Sequence, residues 1–395
     1  MTTDARQRNG LGLLLGVGVA TAAAHIGNNF TTYLIGGLID RYGFTPIAMG
    51  AWSMAETLAY AAAMFLVAPK VGNLSPRRLL TVASVLIVIA QIASAGLASY
   101  PPLFIGRIAT GLGFGLANTA LNLAAARSTH PARAISIGIA CQTILYAIIN
   151  IVLPLIGARW GVSAMFVALG GLSALFALAA RLLPEASAGT DASRRAGPSP
   201  IGADGVRVLL AMALFTFGSL AIWPFMERAA HAIAIPATQF GRYQSVATLA
   251  SAFGNLALAA WVARMRRTGP LALALATCGL ACASLTTTGS ALGFAAALIL
   301  YNASWFVTYP LLLGIGYAVD PGGRLAVLCS AVWLAMMSLG SLVTGSIAQI
   351  FGGYTAVGPI GLAFCLAALA IIWPMARRLD ASHFPVRNAR PSTAG

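Results

Sequence analysis

The sequence predicts an all-α membrane protein: twelve transmembrane helices arranged as two six-helix bundles. Three observations lead there. The first is composition. Of 395 residues, 59% are hydrophobic and only 8% charged, and the mean hydropathy is +0.84. A soluble domain carries about a quarter charged residues, so this chain has too little polar surface to cover a globule in water. That balance excludes a soluble enzyme, a nucleic-acid-binding domain and a disordered chain. The second observation is a series of apolar runs, each close to the roughly 20 residues that cross a bilayer. The third is the placement of positive charge.

The runs, in order, occupy residues 11–37, 44–68, 78–99, 102–126, 134–157 and 162–183, each broken from the next by Gly, Pro or Arg. A polar stretch rich in Ala, Gly, Ser and Pro follows at 184–205 and reads as a flexible linker. Six further runs cover 206–229, 239–262, 269–289, 291–318, 324–350 and 354–376. The expected domains are therefore an N-terminal bundle over 1–183, a cytoplasmic linker over 184–205, and a C-terminal bundle with a short cytoplasmic tail over 206–395. A weak internal repeat at an offset of 191 residues relates the halves: Gly50 aligns with Gly241, and Thr57-Leu58-Ala59 with Thr248-Leu249-Ala250.

Charge orients the helices. With the N-terminus in the cytoplasm, every Lys and Arg falls on cytoplasmic segments except Arg41, Arg107, Arg159, Arg228 and Arg242. This is the positive-inside pattern, and one missed helix would invert every later loop. The net charge of +15 thus belongs to the bilayer and not to nucleic acid. An alternative reading of Arg6, Arg8 and Ala20-Thr21-Ala22 is a cleaved signal peptide, but its removal would break the six-plus-six order. The five cysteines all sit in apolar runs, with neither disulfide nor metal spacing.

Polar residues recur on these helices at helical spacing. The first helix has Thr21, His25, Asn28, Asn29 and Thr32; the fourth has Arg107, Gly111, Asn118 and Asn122; the fifth has Gln142, Tyr146 and Asn150. In the second half the seventh offers Thr216, Ser219, Trp223 and Glu227, the eighth Gln244, Thr248, Ser251 and Asn255, and the tenth Tyr301, Ser304, Trp305 and Thr308. A single stripe reads equally as interhelical hydrogen bonding. Stripes on six helices of both halves point to a shared aqueous cavity. The cavity candidates are Asn28, Asn29, Tyr33, Trp52, Asn118, Gln142, Tyr146, Trp223, Glu227, Gln244, Tyr301, Trp305 and Tyr309. The aromatics among them suit an aromatic or amphipathic solute, or simply pack at interfaces. Two ionisable groups lie deepest, Glu56 in the second helix and Arg107 in the fourth. A charge there costs about 2.5–3.5 kcal/mol on insertion scales, so each needs a partner or a task. With His25 they are the candidates for coupling to protons, a buried structural pair being the alternative. Glu227, beside Arg228 and His231, lies near the outer end of its helix, where a solvated interfacial role competes with binding.

The run Gly106-Arg107-Ile108-Ala109-Thr110-Gly111-Leu112-Gly113 resembles the fourth-helix motif R-x-x-x-G-x-G of the major facilitator superfamily. Val71-Gly72-Asn73-Leu74-Ser75-Pro76-Arg77-Arg78 is similar to that family's loop after the second helix, with Asn73 where the family has aspartate. Pro154-Leu155-Ile156-Gly157 resembles the end of its antiporter motif, with Leu153 and Ala158 replacing two glycines. The resemblance implies the major facilitator fold, no cofactor and no bound metal. It also implies a secondary transporter in the bacterial inner membrane, monomeric, moving a small organic solute by alternating access with protons. Asn73, Arg77 and Arg78 become candidates for a gating loop. A drug/proton antiporter and a non-transporting sensor or scaffold on the same fold stand as alternatives. An intramembrane enzyme lacks support, since the four histidines are dispersed, and no phosphate-binding G-x-x-x-x-G-K-[ST] loop occurs.

Overall fold

The computed structural model describes residues 11–67, 74–125, 131–183, 185, 201–261, 266–320 and 324–383. These residues contain helices and no strand. The first half consists of α1 (Leu11–Tyr42), α2 (Pro46–Val67), α3 (Pro76–Ala95), α4 (Tyr100–Ala125) and a long segment, Pro131–Ala179. That last segment breaks at Gly161, with φ 79° and ψ 179°; we call the part before the break α5 and the part after it α6. A positive φ is cheap only for glycine, so the chain reverses there without a separate loop. The sequence had placed a short connection at 158–161; instead the helix runs up to the glycine.

The second half contains α7 (Ala203–Leu220), α8 (Ala237–Trp261), α9 (Thr268–Thr287), α10 (Ala291–Val319), α11 (Arg324–Phe351) and α12 (Val357–His383). The run expected as one helix over 206–229 is interrupted after Leu220. A 3-10 turn at Trp223–Phe225 and a short helix at Met226–His231 complete it. Pro224 explains the interruption, because it has no amide hydrogen for the preceding turn. Among the described residues, ten segments are long and apolar enough to cross a membrane, the longest being Gly138–Leu182, which contains the Gly161 break. Large apolar side chains such as Phe65, Ile89, Ile105, Phe253, Leu280 and Ile350 are exposed around the outside. Water would not tolerate that surface; hydrocarbon does. The linker expected at 184–205 lies largely outside the described residues.

The halves meet along two helix pairs, α2 with α11 and α5 with α8. The contacts gather at the end of the molecule that carries the α1–α2 connection, the Gly161 break and the segment around Trp223. A Cβ on Gly50 would stand 2.5 Å from the Ser341 carbonyl oxygen, and one on Gly241 would stand 2.1 Å from that of Asn150. Both glycines are therefore required for backbone approach. Residues 50 and 241, and residues 150 and 341, are each 191 apart, so the internal repeat marks the same contact made twice. Thr57 and Thr248, also aligned, each receive a bond from the other half: Ser338 Oγ donates to Thr57 Oγ1 at 2.6 Å, and Asn150 Nδ2 to Thr248 Oγ1 at 3.4 Å.

Candidate functional site

Glu56 and Arg107 are brought together. They are paired through the Arg107 Nε and a Glu56 carboxylate oxygen, with side chains 1% and 2% exposed. A second guanidinium nitrogen donates to Thr31 Oγ1, and the guanidinium lies 3.9 Å from the centre of the Trp52 ring, a cation–π contact. The Trp52 indole donates to the Leu103 carbonyl at 3.1 Å and meets Phe166 edge-on. The sequence motif explains how α4 comes so near. A Cβ on Gly111 would sit 2.3 Å from the Glu56 carbonyl oxygen, and one on Gly115 2.3 Å from that of Tyr60. The whole cluster belongs to α1, α2, α4 and α6 of one half. Trp52, grouped with the cavity candidates by sequence, lies inside that bundle beneath Arg107.

A chain of hydrogen bonds crosses between the halves. Tyr33 OH on α1 donates to Asn150 Oδ1 on α5 at 3.1 Å, Asn150 reaches Thr248 on α8, and Gln244 Nε2 on α8 donates to Asn302 Oδ1 on α10 at 3.4 Å. The Trp223 indole donates across to the Asn28 carbonyl at 2.7 Å, and its ring stacks on Tyr301 at 6.3 Å. Tyr301 OH in turn donates to the Ser219 carbonyl at 2.8 Å. Four buried polar atoms in this region have no hydrogen-bond partner among the described residues: Asn28 Nδ2, Gln244 Oε1, Trp305 Nε1 and Trp333 Nε1. Such atoms cost about 1–3 kcal/mol each when left unpaired, and a ligand or water relieves that cost.

The remaining candidates line up around these. His25 is half-buried and its Nδ1–H donates to the Thr21 carbonyl at 2.8 Å; Asn29 Nδ2 donates to the His25 carbonyl at 2.9 Å. Asn118 is half-buried with its amide 3.3 Å from the Met64 sulfur, and Gln142 is half-buried on α5. Tyr146 is buried, donating to the Ala22 carbonyl at 2.7 Å. On α10, Trp305 stacks on Tyr309 at 5.4 Å with 7° between planes, and Tyr309 meets Trp333 at 5.8 Å. Trp333 and Asn302 escaped the sequence reading. Asn302 could have been found, being one residue after Tyr301 on an already polar helix; Trp333 stood in an apolar run with Ser330, one turn earlier, as a faint marker.

Glu227 is buried. It is 2% exposed, its N–H donates to Thr32 Oγ1 at 2.9 Å, and its carboxylate accepts from Arg228 Nε at 2.9 Å. Arg228 then forks onto Asp40 of the other half, Nη1 to Oδ1 at 2.6 Å and Nη2 to Oδ2 at 3.0 Å. α1 and the short helix after Trp223 cover each other there, which buries the Glu227 side chain while Asp40 stays exposed. Beside this cluster a cleft of about 520 Å³ opens to the surface between Tyr33, Asp40, Pro154, Gly161 and Glu227. Of the gating-loop candidates, Arg77 pairs with Glu185 at the start of the linker stretch, the Arg78 N–H donates to the Ser75 hydroxyl at 3.4 Å, and Asn73 lies outside the described residues.

The sequence matches the family model described as Major Facilitator Superfamily over residues 17–326. No curated protein matches it by sequence. Among solved structures, it is similar to a mutant of the peptide transporter POT, with TM-score 0.74, 12% identity, and coverage of 94% of this chain and 96% of that one. It is similar to a mutant of the nucleoside transporter NupG, with TM-score 0.73, 12% identity, and coverage of 92% and 99%. It also resembles the xylose transporter XylE from E. coli in a partially occluded inward-open conformation, with TM-score 0.70, 15% identity, and coverage of 92% and 98%.

Proposed function

The chain belongs to the Major Facilitator Superfamily and is a multi-pass membrane transporter, and on that premise we propose that it carries a small organic solute across the bacterial inner membrane by alternating access, driven by protons. In this reading it has twelve spans, with both termini and the linker cytoplasmic. The observation that carries the proposal is the doubled contact at one end: Gly50 against Ser341 and Gly241 against Asn150, the same pairing in two related halves. Two similar bundles that close tightly at one end through matched, glycine-thin seams can rock about a site between them. By the charge pattern this closed end is the outer one. The Asp40–Arg228 ion pair and the bond from the Ile47 N–H to Gln349 Oε1, at 3.3 Å, add polar latches to it.

Glu56, Arg107 and His25 remain the coupling candidates. A proton taken up by one of them in one conformation and released in the other would link the gradient to the movement of the halves.

The test is conformational. Spin labels placed at Ile47 and Gln349 in purified, reconstituted protein should give two distance populations, one short and one lengthened by opening of that end. A single short distance at every pH tried, with and without the solutes described below, would overturn alternating access and favour a sensor or scaffold.

A further inference from the structure

We propose that the solute is uncharged, rich in hydroxyl or amide groups, and flat on one face, such as a sugar or a nucleoside. This rests on the transport reading above and names what that site takes. The charges deep in the helices are already answered by opposite charges. Glu56 holds Arg107, and Glu227 with Asp40 holds Arg228. Arg107, the residue that would suit an anion, is 2% exposed and enclosed by Thr31, Trp52 and Glu56 of its own half. An anionic solute would have to break a buried ion pair to reach it, leaving an uncompensated carboxylate.

Apart from the Asp40–Arg228 pair, the groups left without a partner between the two halves are neutral. On the N-terminal side these are carboxamides: Asn28 with a free amide hydrogen donor, and half-buried Asn29, Asn118 and Gln142. On the C-terminal side Gln244 has a free acceptor, and the indoles of Trp305 and Trp333 each have a free N–H. Donors outnumber acceptors among these four unpaired atoms. That bias suits oxygen-rich ligands whose hydroxyls, ethers and carbonyls accept. Aromatic side chains follow one another along α10. Trp223 stacks on Tyr301 where the halves meet at Asn28; one turn on, Trp305 stacks on Phe215 and on Tyr309, and Tyr309 meets Trp333 of α11. A flat ring can lie along such a wall while its polar edge reaches the carboxamides.

The experiment uses the full-length purified protein and its intrinsic tryptophan fluorescence, with heat-denaturation midpoint as a second readout. The probes are uridine, a pentose, benzoate and tetraphenylphosphonium. At least one of the two neutral probes should bind and the two ions should not. Trp305→Phe and Gln244→Ala, each removing one unpaired atom, should weaken that binding about tenfold, and Trp333→Phe supplies a third variant should either fold poorly. Preference for benzoate, preference for the cation, or no binding of either neutral probe overturns the assignment. Because the spin-label distances are read separately, two populations without neutral binding would sink the substrate class alone, whereas a single population would sink the transport reading.

Discussion

Arg107 and Glu56 form a buried ion pair, and their burial decides how mutants behave. Removing one member of a buried pair leaves the other charged in low dielectric and costs about 3–5 kcal/mol, whereas removing both is often close to neutral. Arg107→Ala alone is therefore expected to lower the melting temperature and abolish transport, and the double variant Arg107→Ala with Glu56→Gln should recover most of the stability. Transport in the double variant separates the roles: downhill movement should persist while accumulation against a gradient is lost, measured with a pH-sensitive dye trapped in liposomes. Solute-driven proton entry at the unmodified rate in Glu56→Gln would remove the acid from the coupling mechanism and leave His25 as the next group to change.

The helices show why small residues sit where they do. Gly111 and Gly115 let α4 approach the α2 backbone, so Gly111→Val, with its Cβ 2.3 Å from the Glu56 carbonyl oxygen, should fail to accumulate in the membrane. Gly241 does the corresponding work between halves. Gly241→Ala puts a methyl group 2.1 Å from the Asn150 oxygen, which the closed end cannot absorb but the open one can. This variant should fold, with the distance between labels at Ile47 and Gln349 shifted to the long population; an unchanged distribution would show that the seam yields elsewhere. Asp40→Asn should act in the same direction more weakly, because it removes the charge that holds Arg228 across the seam but keeps the approach of α1.

For the whole molecule the charge pattern makes a topological prediction. A cysteine introduced as Ser187→Cys should react with an impermeant maleimide only after the membrane is permeabilised, since 184–205 is expected in the cytoplasm. Reaction in intact cells would invert the map and with it the assignment of the closed end as the outer one. The native Cys141 is exposed and has to be replaced first, while Cys278, Cys282, Cys329 and Cys365 are buried.

Fold class and family were legible in the sequence because the bilayer imposes its demands on every stretch of chain locally. Hydrocarbon admits only helices or closed barrels with internally satisfied backbones, so length and hydropathy pointed to spanning helices and Arg and Gly spacing to the family, while an offset of 191 residues marked a contact that is made twice. Glu56 and Arg107 stood out for the same reason, being charges where few are tolerated. Which groups meet was decided only in the tertiary structure. Nothing in sequence spacing says that Glu56 reaches Arg107 from 51 positions away, that Trp52 lies beneath that pair instead of at the seam, or that Glu227 is linked through Arg228 to Asp40 of the other half. Nor could it show Trp333 beside Tyr309. A helical period fixes the face a residue occupies, but the neighbour across that face comes from a distant helix whose rotation and height are set by packing, here by glycines that let particular backbones touch.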